Sequence, residues 1–471
     1  PSMRALQRCW TEENFVNQIN EFVPDKFYRQ FLKFYVAWFN KDIYKYIPEK
    51  NLKEIYGISL SFSDKYDYIG PKYYRILNYH SAHDIGHALS DFGMVGCSSF
   101  AVNKEFSEDS SLLIARNFDF YINDDFAKDK LLVFVNPSDG GYKYASYSWV
   151  GLTGVVSGMN EKGITVTING SKSDIPNKAK EPISILAREI LQYAKNISEA
   201  INIAKKRETF VSESLLIGSE NDDEAVIIEK TPTKIAIYKP KKNYLICTNH
   251  YQSDLFINDS VNRKNIQNSD SKYRSDRIDE LILQNSPLNY VKAAEILRNK
   301  NGMNNKNIGY GNPKALNQLI AHHGIIFKPK EKKIWISALP YQMGKFICYD
   351  LNKIFRGEEK YSVDSFNISE DSFLLTKQYK QYEDYKRIKE KIKKFVLLDI
   401  PFSISEKSII AFINNNPNNY ITYMMLGDYF RKNKKYKRAI NYYKQALCYD
   451  VASNNEIMII KKNIEDCKTS Q

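Results

Sequence analysis

The sequence predicts an α+β chain with antiparallel sheets and helical segments at both ends. Three observations carry that reading. Residues 11–56 place apolar and aromatic side chains at helical spacing. From Cys97 to about residue 355 the chain becomes a series of short β-branched and aromatic runs between turn residues, with helix pairs between blocks of strands. After about residue 375 helical periodicity returns. Strand blocks broken by helix pairs, in place of a regular strand–helix alternation, favour hairpins over parallel crossovers.

Element by element, EENFVNQINEFVPDKFYRQFLKFYVAWFNKDI is helical and interrupted at Pro24, whose ring removes a backbone donor. Residues 57–96 are mixed, with a turn signal at Gly70-Pro71. CSSFAV opens the strand region, followed by SLLIARNFDF, KLLVFVNP, YKYASYSWVG and GITVTING. Asp139-Gly140-Gly141 and Glu161-Lys162-Gly163 are the turns between them. Segments 183–194 and 198–208 read as helices, the second capped by Ser198. Strands resume in SESLLIGS, EAVIIEKTPTKIAIYKP and YLICTNHY, and helices follow over 272–284 and 288–299. HGIIFKPKEKKIWISAL, a hairpin about Lys328–Lys332, and GKFICYDL complete the region.

Within the final helical part, Tyr423, Leu426, Gly427, Phe430, Ala439, Tyr443 and Ala446 occupy the small and large positions of a tetratricopeptide repeat. A single unit is visible over 420–450, with helices near 404–415 and 455–467 as partial neighbours. The plainer reading is a helical hairpin packed on the rest of the chain.

Bulk properties narrow the function. Hydrophobic content of 43% and charged content of 26% are those of a soluble globular protein. No apolar run approaches the roughly 18 residues of a membrane span. The opening residues, Pro1-Ser2-Met3, carry no recognisable targeting segment, and the expectation favours the cytoplasm over a periplasmic protein with a trimmed signal. The net charge of +13 comes from dispersed lysines, many beside acids on helical segments, and no nucleic-acid motif accompanies it. Cys9, Cys97, Cys247, Cys348, Cys448 and Cys467 are widely spaced, which suggests free thiols and neither a disulfide framework nor a cysteine zinc site.

One cysteine stands apart. Cys97 follows Gly96 at the head of the strand region. A thiol is a weak nucleophile until a base takes its proton. Histidine is the usual base, and His80, His83, His87, His250, His322 and His323 are available. A second solution needs no histidine. If the Gly96–Cys97 bond is cut, Cys97 becomes a chain terminus, and its α-amine, with a reference pKa of about 7.7–8.0, is a base on the same residue as the nucleophile. Glycine before the cysteine lets the backbone bend for the thiol to attack the preceding carbonyl.

The motifs GCSSFAV, ARNFDF, GMNEKGITVTING, ICTNHY and SKYRSDRIDEL occur in one order. Together they resemble the N-terminal-nucleophile hydrolases of the penicillin acyltransferase type (peptidase family C45), related to choloylglycine hydrolase, penicillin V acylase and acid ceramidase. The resemblance covers about residues 75–355 and includes the closing hairpin HHGIIFKPKEKKIWISALP. It implies a four-layer αββα core with antiparallel sheets. With the repeat-like C-terminus it gives three expected regions: a helical pro-segment or first subunit over 1–96, a catalytic domain over 97–370, and a helical, tetratricopeptide-like region over 371–471. One departure is the acidic insertion NKEFSEDSS, which lengthens the first hairpin and keeps the Arg-x-x-Asp spacing.

Residue roles follow from the resemblance. Gly96 and Cys97 would form the cleavage site, and Cys97 would supply thiolate and α-amine. Arg116 would lie beside the thiol, and Asp119 would orient the amine. Alternation along a strand puts Arg116 and Asp119 on opposite faces, so a bulge or strand end is expected between them. Asn249 would donate its side-chain NH₂ to the oxyanion, and Asn169 would assist. Arg274, with Arg277 as the alternative, would complete the polar cluster. Taken singly, these residues have bland readings: a surface ion pair for Arg116 and Asp119, a turn residue for Asn249, helix-surface pairs for Arg274 and Arg277, and a packed thiol for Cys247.

The implied reaction is hydrolysis or acyl transfer on an N-acyl amide or acyl thioester, through an acyl-Cys97 thioester. The partner would be a small-molecule substrate, with protein contact or self-packing through the tetratricopeptide-like region. No cofactor, metal, nucleic acid or membrane span is expected. His83 and His87, four apart with Asp84 between, have the spacing of two zinc ligands, but the segment lacks H-E-x-x-H order and contains Gly86; packing of the pro-segment is the expected role. Two alternatives stand beside the enzyme: a non-catalytic interaction protein on a retained hydrolase scaffold, and a Cys-His hydrolase using His250 or His322 without a cut.

Overall fold

Two facing antiparallel sheets with helices on both outer sides form the centre of the computed structural model. It describes residues 12–17, 19–20, 23, 25–81, 84–85, 96–120, 130–174, 176, 178–358 and 362–470. The first sheet contains β1 (Ser98–Val102), β2 (Leu113–Phe118), β10 (Tyr244–Cys247), β11 (His323–Lys328), β12 (Lys333–Ser337) and β13 (Phe346–Asp350), in the order β10-β1-β2-β11-β12-β13. The second holds β3 (Lys130–Val135), β4 (Tyr144–Trp149), β5 (Ser157–Asn160), β6 (Ile164–Gly170), β7 (Glu213–Ser219), β8 (Glu224–Lys230) and β9 (Ile235–Tyr238), in sequence order. Every strand pair is antiparallel, the outcome that hairpin-rich patterning predicts.

Period-two alternation assigns each face of the first sheet. Ala101, Leu112, Ile114, Ile325 and Phe327 pack against Met159, Leu216 and Ile227 of the second sheet. Their strand neighbours Phe100, Val102, Leu113, Ala115 and Ile326 face outward onto Ile278, Leu281, Ile282, Ala293 and Leu297 of helices Ser271–Asn285 and Tyr290–Leu297. On the far side, Ile164, Val166, Leu215, Ile217 and Ile228 meet Ile183, Leu186, Ile190 and Ala200 of helices Ile183–Tyr193 and Ile197–Lys206. The layers therefore run helix, sheet, sheet, helix, as the resemblance implies. The cap of Ile197–Lys206 is Asn196, whose side chain accepts from Glu199 N, and Ser198 lies inside the helix. Asn196 holds the extended backbone that a cap needs, which corrects the expectation for Ser198.

Described parts of the N-terminal region lie against this centre. Phe39, Ile43, Ile55, Ile76 and Leu77 join the core beneath the second sheet's helices. Asp84 accepts from Ile183 N at 2.9 Å, at the start of helix Ile183–Tyr193. His83 and His87 lie outside the described residues.

The C-terminal helices Lys377–Leu398, Glu406–Asn415, Tyr420–Lys432, Tyr436–Ala446 and Asn454–Thr469 have their own core. A Cβ on Gly427 would stand 2.5 Å from the ring of buried Tyr443, so the two central helices approach where only glycine fits. Among the described residues no helix is long and apolar enough to cross a membrane.

Candidate active site

Strand alternation also builds the site. Cys97 precedes β1 in phase with Ser99 and Ala101, so its thiol faces the second sheet. Arg116 is in phase with Leu112 and Ile114 and reaches the same space from β2. Its Nη1 donates to Val156 O at 2.6 Å and Ser157 Oγ at 2.5 Å, and Nη2 donates to Ile168 O. Nη2 also lies 3.8 Å from Cys97 Sγ. The guanidinium is fully buried, so those carbonyls replace its water, and they fix it against the thiol.

β2 ends at Phe118, one residue before Asp119. That end releases the chain from strand alternation and brings Asp119 back to the thiol side. Its carbonyl accepts from Gly96 N at 3.0 Å and from the Cys97 thiol at 3.9 Å. Among the described residues, neither oxygen of its buried carboxyl has a hydrogen-bond partner. Complete burial of both Arg116 and Asp119 removes the surface ion-pair reading.

Arg274 enters from the outer helix layer. Its Nη1 donates to Gly96 O at 2.9 Å, Cys97 O at 2.6 Å and Ser98 Oγ at 3.0 Å. Its Nη2 donates to Asn249 Oδ1 at 2.8 Å and Asp270 Oδ1 at 3.2 Å. Arg277, one helical turn on, bonds Glu280, Asn299 and Asn305 instead. The arginine at the junction is thus Arg274.

The two asparagines are close by, but their amides point elsewhere in the intact chain. Asn249 Nδ2 donates to Gly170 O at 2.9 Å. Asn169 Nδ2 donates to Cys247 O at 3.0 Å, and its Oδ1 accepts from Ser99 Oγ at 3.0 Å. Cys247 is a buried strand thiol, as its bland reading holds. Among the described residues neither alternative base is hydrogen-bonded to Cys97: His250 bonds Ser271 Oγ at 2.8 Å and Thr248 Oγ1 at 3.1 Å, and His322 bonds His323 at 2.9 Å. Burial also pushes His250 down to about 4, which disfavours its charged form.

Sequence reasoning missed three contributors. Ser157 accepts from Arg116 and bonds His323 Nε2 at 2.9 Å. Ser271 Oγ accepts from Asn249 N at 2.8 Å and fixes that loop. Gln318 Nε2 donates to Gly96 O at 3.1 Å. The only signal for Gln318 was a polar pair, Asn317-Gln318, inside the apolar run ALNQLIA.

Burial dominates the electrostatics. It pushes the Cys97 thiol up, and the Arg116 cation opposes that shift. It pushes the Asp119 carboxyl up to about 8, against the pull of Arg274 and Arg116. The native chain then keeps a proton on Asp119 that the unfolded chain loses above about pH 4. Stability from this group is full at acid pH and falls as pH rises towards 8. In a Cys97→Ala chain, adding Asp119→Asn is expected to flatten the decline in urea midpoint between pH 5 and 8. The difference is about 1.4 kcal/mol per pH unit. Parallel pH profiles for the two chains would contradict it.

The fold and junction together define a class: a four-layer αββα protein with a buried thiol, an arginine and a carboxyl converging on one glycyl–cysteine bond. Residues 106–338, just under half of the chain, match the family described as acyl-coenzyme A:6-aminopenicillanic acid acyl-transferase. An uncharacterized protein of Archaeoglobus fulgidus is 25% identical over 158 residues, 32% of this chain. The chain spans about a quarter, 26%, of that relative's length. Among solved structures, a conjugated bile acid hydrolase from Clostridium perfringens is 14% identical with a TM-score of 0.38, covering 57% of this chain and 96% of its own. A penicillin V acylase from Agrobacterium tumefaciens is 16% identical with a TM-score of 0.36, covering 55% and 87%. The N-acylethanolamine-hydrolyzing acid amidase ortholog of Caenorhabditis elegans is 13% identical with a TM-score of 0.36, covering 50% and 93%.

Proposed function

We propose that this chain is a cysteine N-terminal-nucleophile enzyme that cuts its own Gly96–Cys97 bond and then transfers acyl groups through a thioester on Cys97. The observation that carries the reading is the junction itself. The thiol sits beside Arg116, the Gly96 carbonyl is held by Arg274, and the Asp119 carboxyl has no hydrogen-bond partner among the described residues. A cut would create an α-ammonium at Cys97, a cation for which a nearby buried carboxyl is a natural partner. Cys97 is only 1% exposed, so a substrate needs an opening at the junction before it can reach the thiol.

In turnover the α-amine takes the thiol proton, the thiolate attacks the acyl carbonyl, and the ammonium returns the proton to the leaving amine or thiol. Water or a second amine then resolves the thioester. The matched family's description, a transferase with an acyl-coenzyme A donor, supports thioesters and N-acyl amides as the substrate class. No cofactor enters this chemistry. The tetratricopeptide-like pairing over 420–450 belongs to the proposal as a packing unit of the same chain.

The test is mass spectrometry of chain incubated with a panel of N-acyl amides and acyl thioesters. The expected result is a fragment starting at Cys97 that gains one acyl mass on that residue. A chain that cuts but never carries an acyl group on Cys97 would sink the acyl-transfer reading.

A further inference from the structure

Gln318 does two things at the junction. Its Nε2 is a second side-chain donor to Gly96 O, at 3.1 Å, beside Arg274 Nη1 at 2.9 Å. Its carboxamide also occupies the space a side chain at residue 96 would need: a Cβ there would stand 2.2 Å from Nε2 and 2.7 Å from Oε1. A larger residue at 96 would therefore displace this donor from the carbonyl. Gln318 is 5% exposed, so its amide competes with little water.

The C-terminal helices hold that donor in place. Gln318 lies between Leu316, which packs in the outer core of the first sheet, and Leu319, which packs in the C-terminal helical core. Leu319 has φ +54°, a left-handed conformation costly for leucine and sustained here by its seat among those helices. Upstream in the same loop, Tyr310 O accepts from Asn416 Nδ2 and Asn419 Nδ2, each at 2.8 Å, and Tyr310 N donates to Asn416 Oδ1 at 3.0 Å. Asn312 Nδ2 donates to Asp450 O at 2.9 Å.

We infer that Gln318 is a catalytic residue of self-cleavage, donating with Arg274 to the oxyanion that forms on Gly96, and that the C-terminal helices act as the mount for its loop. This rests on the self-cleavage reading above. The Cys97 thiolate adds to the Gly96 carbonyl carbon, and the oxygen takes the negative charge between Nε2 of Gln318 and Nη1 of Arg274. The carbonyl re-forms as the C–N bond breaks and the Cys97 nitrogen takes a proton, leaving a Gly96 thioester on Cys97 Sγ. Water attacks that thioester and releases the Gly96 carboxylate and the free thiol. Two donors set on the carbonyl before reaction need no reorganisation as the charge develops.

The experiment follows cutting of freshly made full-length chain by intact mass. Gln318→Met keeps the side-chain length, removes the donor, and is expected to slow the cut about 10²–10³-fold. Gly96→Ala is expected to slow it by displacing the same carboxamide. The double variant should then cut no more slowly than the slower single variant, because both remove one donor. Gln318→Glu preserves size, and its rate relative to wild type should rise as acid protonates the carboxylate, a response that packing alone would not give.

Wild-type speed in Gln318→Met, single effects that multiply in the double variant, or a pH-independent ratio for Gln318→Glu would each overturn the role of Gln318. Cys97→Ala separates this from the underlying reading. If wild type never cuts, or Cys97→Ala still cuts, self-cleavage itself fails and this inference with it. If wild type cuts and Cys97→Ala stays whole, the Gln318 variants decide this inference alone.

Discussion

The Cys97→Ala chain is expected to remain in one piece under conditions where wild type separates into fragments 1–96 and 97–471, and to show no turnover. Both losses come from one atom. The sulfur is the proposed nucleophile at Gly96, with Arg116 Nη2 at 3.8 Å favouring its charged form. The same sulfur is the proposed acyl carrier afterwards. Alanine leaves a small buried space and no nucleophile, so the variant should fold and stay inert. Denaturing gel and intact mass measure the first effect, and release of amine from an N-acyl amide measures the second. Turnover in an uncut Cys97→Ala chain would remove Cys97 from the mechanism. Turnover by uncut wild type would instead favour a Cys-His enzyme, although neither His250 nor His322 has a hydrogen bond to the thiol.

Arg274→Met is expected to have the second-largest effect, slowing the self-cut by at least about 10²–10³-fold. One guanidinium donates to Gly96 O, Cys97 O, Ser98 Oγ and Asn249 Oδ1, joining the junction to the loop that carries Asn249. Methionine fills the volume and makes none of those bonds. Arg274→Lys should recover only part of the rate, because an ammonium is a point donor and lacks the planar fork that spans these acceptors. The half-life of the full-length chain in each variant is the measurement. A lysine variant that cuts as fast as wild type would show that charge alone suffices and that the fork geometry is irrelevant.

The strand runs were legible because their residues are β-branched and aromatic and the turns between them are glycine-marked. β5 (Ser157–Asn160) was harder: SGMN contains a glycine and no β-branched residue, and it is a strand because β4 and β6 pair with it on both sides. The step between Arg116 and Asp119 could be anticipated, since alternation alone separates them and only an irregularity reunites them. The choice between Arg274 and Arg277 could not. The two stand three apart on one helix, both are fully buried, and what distinguishes them is which one overhangs the start of β1. Gln318 was invisible for a related reason. Its importance lies in contact with a residue 222 positions away, and no local pattern encodes such a contact.

The anchoring of the 306–319 loop by the last helices has a consequence for timing. The bond between Gly96 and Cys97 leaves the ribosome before Asn416, Asn419 and the helices that seat Leu319 have been made. On the proposed arrangement a nascent chain carries its scissile bond without the completed apparatus to break it. Truncated products would stay whole and sealed. The cut would then mark molecules whose C-terminal helices have docked, without any outside protease having to inspect them.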